Sequence, residues 1–351
     1  MSIESIPLSR ESFTYHDIAE LDPLSLDEIM ILLPELNRRQ DVESINTVLS
    51  EVVCTSQYNV VSQEDALAAL RDLDFLASSL LRHGAQPLQS VDGLEGELMR
   101  LGNVAGTIPR GTVFTYASIN PLDERMRSFT GTTEEALFID SVRNGTLALD
   151  LALTSLSDKS MYDDEGMAEA LTTSAAAMDT MIASIINVYH TITPEFFSEQ
   201  MRPYFEPLVI GGRKFTGAGG AQMQLLAIDR VLWGNNETDP EYQGFFNENY
   251  EYLTPTQKES LGHFLTRNSQ TTLVEWLESH PDEYPQMRQE TVSLLRKIKK
   301  FRYPHRRVAK GNFNIRKKGA VGSGSYTPDI LDVLISKTEE SILRATGEGD
   351  A

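Results

Sequence analysis

Of the six histidines in the chain, one sits where an imidazole could do chemistry. Leu294, Ile298, Phe301 and His305 follow one another at intervals of four, three and four, which places His305 on the apolar face of a helix. An inward imidazole there has two readings: a core histidine satisfied by hydrogen bonds, or a neutral nitrogen ligand for a metal centre. Around it, Arg296, Lys297, Lys299, Lys300, Arg302, Arg306, Arg307, Lys310, Arg316, Lys317 and Lys318 put eleven positive charges into a stretch without one acid. Such a run is either a solvated face or a set of partners for anions, and the anions an axial histidine would bring are the two propionates of a haem. Pro304 removes a backbone donor just before His305, which favours a kink where a ligand has to tilt.

Two other features invite chemistry. Cys54 is the single cysteine, so an intrachain disulfide and a cysteine-based zinc or iron–sulfur site are excluded. It follows Val52 and Val53 in an apolar helical stretch, which predicts a buried, inert thiol and fits a reducing cytosol. In the segment 204–222, the apolar run Pro207 to Ile210 leads into glycines at 211, 212, 217, 219 and 220. That spacing predicts either loops whose backbone approaches something flat or anionic, or a flexible surface crossover. No Gly-Lys-Ser/Thr follows and no βαβ pattern surrounds it, so a nucleotide loop is not indicated.

The elements that must position these residues read as helices. Ser25 to Glu28 has the form of a capping box ahead of Ile29, Ile31, Leu32 and Leu33, with Pro34 expected to end or kink the helix. Ser62 to Asp65 opens a stronger helix with Leu67, Leu70, Leu73, Leu76 and Leu80 along it and Gly84 beyond its last turn. Residues 134–157 and 165–189 are long helical stretches, the second rich in alanine and methionine, and continuous strand alternation is hard to find. The class is therefore all-α. Glycines and prolines between Val91 and Asp123 break any long period and predict a connection between a smaller N-terminal helical region, 1–122, and a larger helical domain, 123–351.

Composition excludes several classes. With 40% hydrophobic and 23% charged residues the chain has enough apolar surface to fold. A net charge of -20 argues against general nucleic-acid binding, which needs basic side chains in excess. No uninterrupted run of about 18 apolar residues occurs, and Met1 to Glu11 carries acids, so neither a membrane span nor a secretory signal is expected and the location expected is cytoplasmic.

A set of short stretches adds a resemblance. LPELNRRQDV at 33–42, RDLDFLASSLLRHG at 71–84, RSFTG at 127–131, SVR at 141–143, RPYFEP at 202–207, GGRKFTGAGGAQM at 211–223, VLWG at 231–234, FRYPH at 301–305 and GSGSYTP at 322–328 resemble, in order and spacing, the monodechloroaminopyrrolnitrin synthase family. That family is part of the haem-dependent group that includes indoleamine and tryptophan 2,3-dioxygenases, and the likeness covers roughly residues 17–335. It implies an indoleamine-dioxygenase-like helical fold holding haem b, with His305 as the iron ligand and Arg302 and Gly217 also on the cofactor. It implies dioxygen as co-substrate, Ser141 and Ser323 in catalysis, and a tryptophan-like substrate held by Phe196, Phe197, Arg202, Gly219, Gly220, Phe313 and Ser323.

The activity so implied is rearrangement of the indole of tryptophan, or of a halogenated tryptophan, in specialised metabolism. Dioxygenation of the indole 2,3 bond and non-catalytic haem binding or sensing are the alternatives. An external electron donor and a monomer or homodimer complete the expectation. The chain departs from the family pattern eight residues beyond the ligand, where Phe313 stands in place of a tyrosine.

Overall fold

A computed structural model describes residues 14–218, 223–315 and 329–348. It is essentially all-α, as the sequence leads one to expect; its described strands form one two-stranded hairpin. By internal contacts the chain divides into two units, Met1–Arg143 with Thr191–Ala221 and Asn314–Ser325, and Asn144–His190 with Gln222–Phe313 and Tyr326–Ala351. Residues 91–123 lie inside the first unit.

The first unit holds the helices α1 (Tyr15–Ala19), α2 (Asp27–Arg39), α3 (Val42–Asn59), α4 (Gln63–Arg82), α5 (Pro87–Ser90), α6 (Leu94–Ala105) and the start of α7 (Thr133–Ser157). At its centre is α4, which begins with the anticipated capping box: Ser62 accepts from the Asp65 N–H and Asp65 from that of Ser62. Its residues Ala66 to Leu80 are all buried. Burial on every side puts charged side chains in the core, and each must find a partner. Arg71 and Arg127 share Asp72 at 2.7 and 3.0 Å, and Asp74 pairs with Arg110 at 3.1 Å. Burial pushes the Asp72 carboxyl up, but Arg71 and Arg127 outweigh it and hold the group below its usual range. The motifs RDLDF and RSFTG are thus two halves of one buried ion network.

Three local expectations are corrected. Ser25 does not cap α2; it takes a left-handed φ of 54°, and Asp22 accepts from the N–H groups of Leu26 and Asp27 at 2.8 and 3.0 Å instead. Of the two effects expected of Pro34, the ending of α2 is not seen: the helix runs on to Arg39, with the proline ring against Gly131, where a Cβ would come within 2.9 Å of it. Cys54 is exposed, not buried. It lies nine residues, about 180° of helix, from the buried Ile45, so the preceding valines are a poor guide to its face.

Pro207 to Phe215 is a hairpin of β1 (Leu208–Ile210) and β2 (Arg213–Phe215), with Val209 opposite Lys214. Gly211 and Gly212 form its turn, with φ of 60° and 75°. Two glycines at positive φ suit a tight turn matched to strand twist, which supersedes the loop reading for that pair.

The second unit contains the rest of α7, then α8 (Asp164–Thr191, its final residue falling in the first unit), α10 (Met223–Asp229), α11 (Pro240–Tyr250), α12 (Pro255–Arg267), α13 (Leu273–Ser279), α14 (Pro285–Ile315) and α15 (Ile330–Thr346); the short turn α9 (Pro194–Phe196) belongs to the first. By length and composition α8 could cross a membrane, contrary to the reading from uninterrupted apolar runs. Its face of Met167, Leu171, Met178, Met181 and Ile182 is buried, however, and Met181 fills the space left by the absent side chain of Gly145. The Arg288 guanidinium on α14 donates to the carbonyls of Leu277, His280 and Ala345, joining the ends of α13 and α15 to α14.

Candidate functional site

Helix α14 carries Pro304 in its interior and presents His305 one turn beyond Phe301, with ring centres 5.3 Å apart. The imidazole is half-buried, and neither nitrogen bonds to a described residue. Its pKa is pulled down to about 4, by burial first and by the Arg302 guanidinium second. At neutral pH the ring is uncharged and keeps a lone pair for a metal. Among the described residues no three His, Cys, Asp or Glu side chains cluster as a protein-only metal site requires. A single neutral imidazole is the donor set that fits a metal bringing its other ligands with it, as haem iron does.

Arg302 is buried and held by three protein partners. It pairs with Asp229 at the end of α10 and donates to the Thr338 hydroxyl and, at 3.1 Å, to the Leu334 carbonyl on α15. Much of the basic run is engaged in the same way. Lys297 meets Asp179 at 2.5 Å, Lys299 meets Glu339 at 3.5 Å, and Arg306 and Lys310 share Asp332 at 2.7 and 3.1 Å. Arg307 lies over the Tyr189 ring at 5.0 Å. The run is acid-free in sequence, but the acids that complement it come from α8 and α15, which the local composition does not reveal.

Asp229 leads directly into a π turn, Arg230–Gly234, the place of the VLWG motif. Trp233 packs against Tyr242 of α11 at 4.8 Å, and the Tyr242 hydroxyl occupies the space that a side chain at Gly234 would need. Burial raises the Asp229 pKa to about 6, with Arg302 and then the Trp233 indole drawing it back.

The remaining anticipated residues with described side chains belong to the first unit. Ser141 is buried on α7, one turn beyond Phe138. Phe197 is buried and begins a second π turn, Phe197–Met201, with Phe138 at 5.6 Å and Phe205 at 6.4 Å; Phe196 beside it is half-buried. Such π turns insert a residue into a helix and often mark functional sites. Arg202 is buried at the start of the 3-10 turn Arg202–Phe205. Gly217 is buried too, and a Cβ there would come within 2.9 Å of the Arg110 guanidinium and 3.0 Å of the Phe205 backbone. Its lack of a side chain is therefore already required by protein packing. Gly219, Gly220 and Ser323 lie outside the described residues, as does the side chain of Phe313.

Sequence reading passed over Glu135, Phe138, Tyr116 and Asp229. Glu135 is buried and accepts from the Tyr116 hydroxyl at 3.0 Å, the Ser128 hydroxyl at 2.6 Å and the Phe129 and Thr130 N–H groups. The signal was present: Thr132 to Glu135 has capping-box spacing just ahead of a helix, and the Glu135 N–H does donate to the Thr132 hydroxyl. Asp229 had no comparable signal, because its ion-pair partner Arg302 lies 73 residues away.

The sequence profile of the family described as "Monodechloroaminopyrrolnitrin synthase PrnB" matches residues 15–341, a span that includes both units and every motif named above. The chain belongs to the monodechloroaminopyrrolnitrin synthase (PrnB) family, a family of enzymes of pyrrolnitrin biosynthesis.

Proposed function

We propose that this protein is a haem-dependent oxidative enzyme that rearranges the indole ring of tryptophan, or of a halogenated tryptophan, on a route to pyrrolnitrin-like aminophenylpyrroles. The observation that carries the reading is His305, a neutral, half-buried imidazole without a described hydrogen-bond partner, within a chain matched to the family from 15 to 341. His305 would hold haem b through its iron, and Gly217 would lie near the cofactor. Arg302, already bound to Asp229, would act as a fixed positive charge near it rather than as a mobile propionate clamp. When bound, the haem would supply an iron able to activate dioxygen for oxidation of the indole.

The chain's own groups would bind and orient. Phe196 and Phe197 offer an indole flat apolar surfaces and exclude water. Arg202 would meet the substrate carboxylate. Ser323, with Gly219 and Gly220, would take up the amino or carboxylate group, and Ser141 would place a hydroxyl donor beside the reacting ring. Phe313 adds bulk at its position but no phenolic proton. That substitution favours one second reading, oxidative opening of the indole 2,3 bond to an N-formylkynurenine-type product. An external electron donor and a cytoplasmic location, where a lone cysteine stays reduced, belong to the same proposal.

Absorption spectra of the protein expressed with haem supply, ferric and dithionite-reduced, test it against His305→Ala. A Soret band typical of histidine-ligated haem, lost or altered in the variant and perturbed by L-tryptophan, is the expected result, followed by rearranged product under oxygen. An unaltered spectrum in His305→Ala overturns the assignment of the ligand. A haem spectrum indifferent to tryptophan and its halogenated forms points to carriage or sensing without turnover, and a formylkynurenine-type product to the second reading.

A further inference from the structure

Three aromatic side chains of α11 lie at successive turns: Tyr242, Phe246 and Tyr250. Their ring centres are 6.5 and 5.5 Å apart, and Trp233 joins the inner end at 4.8 Å from Tyr242. At that inner end is Asp229, the partner of Arg302, three residues before His305 on the same helix. Tyr242 is completely buried and Trp233 nearly so, whereas Tyr250 is half-buried. The Trp233 Nε1, the Tyr242 hydroxyl and the Asp229 Oδ1 are buried without a well-formed hydrogen bond among the described residues. Burial of three such polar atoms is costly, and here they are one donor, one hydroxyl and one acceptor in the same cluster.

The arrangement has the parts that stepwise oxidation of a protein needs. Indole and phenol are the most readily oxidised ring side chains, and each becomes a far stronger acid once it loses an electron. A nearby base must then take the proton. Asp229 can do this: one oxygen is held by Arg302, the other has no well-formed hydrogen bond but is within the influence of the Trp233 indole N–H, and burial already favours the protonated form. Arg230, stacked on Phe246 at 4.0 Å, gives the path a fixed cation that keeps positive charge from settling on that ring.

We propose that Trp233 and Tyr242, with Asp229 as proton acceptor, form a relay that carries oxidising equivalents away from the haem region to Tyr250. The oxidant is a hydroperoxide acting on the holoenzyme; its O–O bond is reduced by two electrons and two protons to an alcohol and water, or to two waters from hydrogen peroxide, so the relay turns over twice for each one, and the inference rests on the haem reading above. Trp233 gives up one electron, and its indole N–H proton passes to Asp229. Tyr242 then reduces the indolyl radical; the indole nitrogen recovers its proton from Asp229 while the phenolic proton of Tyr242 replaces it there. Tyr250 reduces the Tyr242 radical in turn, losing its own proton to solvent as Tyr242 recovers its proton from Asp229, and an external thiol or ascorbate closes the cycle. Phe246 bridges the two tyrosines without itself being oxidised. The relay protects the protein when peroxide arrives without substrate.

Freeze-quenched holoenzyme treated with hydrogen peroxide in the absence of substrate, read by electron paramagnetic resonance with ring-deuterated tryptophan or tyrosine, tests the relay. An organic radical whose lines narrow with deuterated tyrosine, lost in Trp233→Phe and in Tyr242→Phe, is the expected result. Trp276→Phe should leave it unchanged, and Tyr250→Phe should leave the radical on Tyr242 while abolishing oxidation products at position 250 in the peptide mass map. Haem bleaching should be several-fold faster in Trp233→Phe than in the wild type, with the same resting Soret band in both. An unchanged radical and bleaching rate in Trp233→Phe overturns the relay. Because that comparison is made only on protein with a Soret band, absence of the band strikes the haem reading instead. If the buried variants do not fold, Tyr250→Phe, which alters a half-exposed ring, decides between a relay that ends at Tyr250 and none.

Discussion

At the scale of single residues, burial decides which groups titrate where. Asp229 is nearly inaccessible and has a pKa of about 6 in the fold, against an ordinary carboxylate value of 3.8. A raised acid pKa means the native state binds more protons than the unfolded state between those values, so stability falls as pH rises through the window from about 4 to 6 and is level above it. The size is on the order of 3 kcal/mol. Asp229→Asn, which cannot ionise, should lack that fall, and urea unfolding of both proteins between pH 4 and 8 measures it; parallel pH profiles would show that Arg302 already compensates the buried charge. Gly234 gives a second residue-level prediction. Gly234→Ala puts a methyl group where the Tyr242 hydroxyl lies and should destabilise by about 1–3 kcal/mol. Tyr242→Phe removes that hydroxyl and should recover part of the loss in the double variant, whereas strictly additive effects would place the strain elsewhere.

At the scale of elements, the buried ion network of α4 dominates. Arg71, Asp72 and Arg127 have side chains with no exposed surface, and removing the shared carboxylate takes from Arg71 its ion-pair partner and leaves Arg127 with Asp27 alone. Asp72→Asn should therefore cost about 3–5 kcal/mol, seen as a lower denaturant midpoint, while replacing the exposed Cys54 by serine should change stability by less than about 0.5 kcal/mol. Midpoints that fall equally would mean the network is not a structural core. The same elements show what sequence reveals. Residue spacing and composition pointed to α4, α7 and α8, and capping to α4, since those signals are carried locally in the chain. The pairing of Asp72 with Arg127, or of Asp229 with Arg302, spans 55 and 73 residues, and no local pattern encodes it. His305 was legible because its helix advertises an apolar face. The fate of the basic run was not, because its counter-charges sit on other helices, and Ser25 failed as a cap because Asp22 competes for the same N–H groups.

At the scale of the whole molecule, the net charge of -20 is set against a helix on which four cations, Lys297, Lys299, Arg306 and Lys310, are paired with acids of α8 and α15. A diffusing reductant meets the summed field before it meets any one side chain, and screening removes that field beyond about 10 Å at moderate salt. If electrons reach the proposed haem from solution, a cationic dye should reduce the ferric protein faster than an anionic dye of similar potential at low ionic strength. Added salt should slow the first, speed the second, and bring the two rates together. Stopped-flow reduction across a salt series measures both slopes. The opposite pattern, an anionic dye favoured at low salt, would mean that the local cations of α14 prevail over the global charge. In that case Lys300 and Arg296, for which no acidic partner is found among the described residues, would be the first positions to replace, and charge reversal there should restore the order expected from -20.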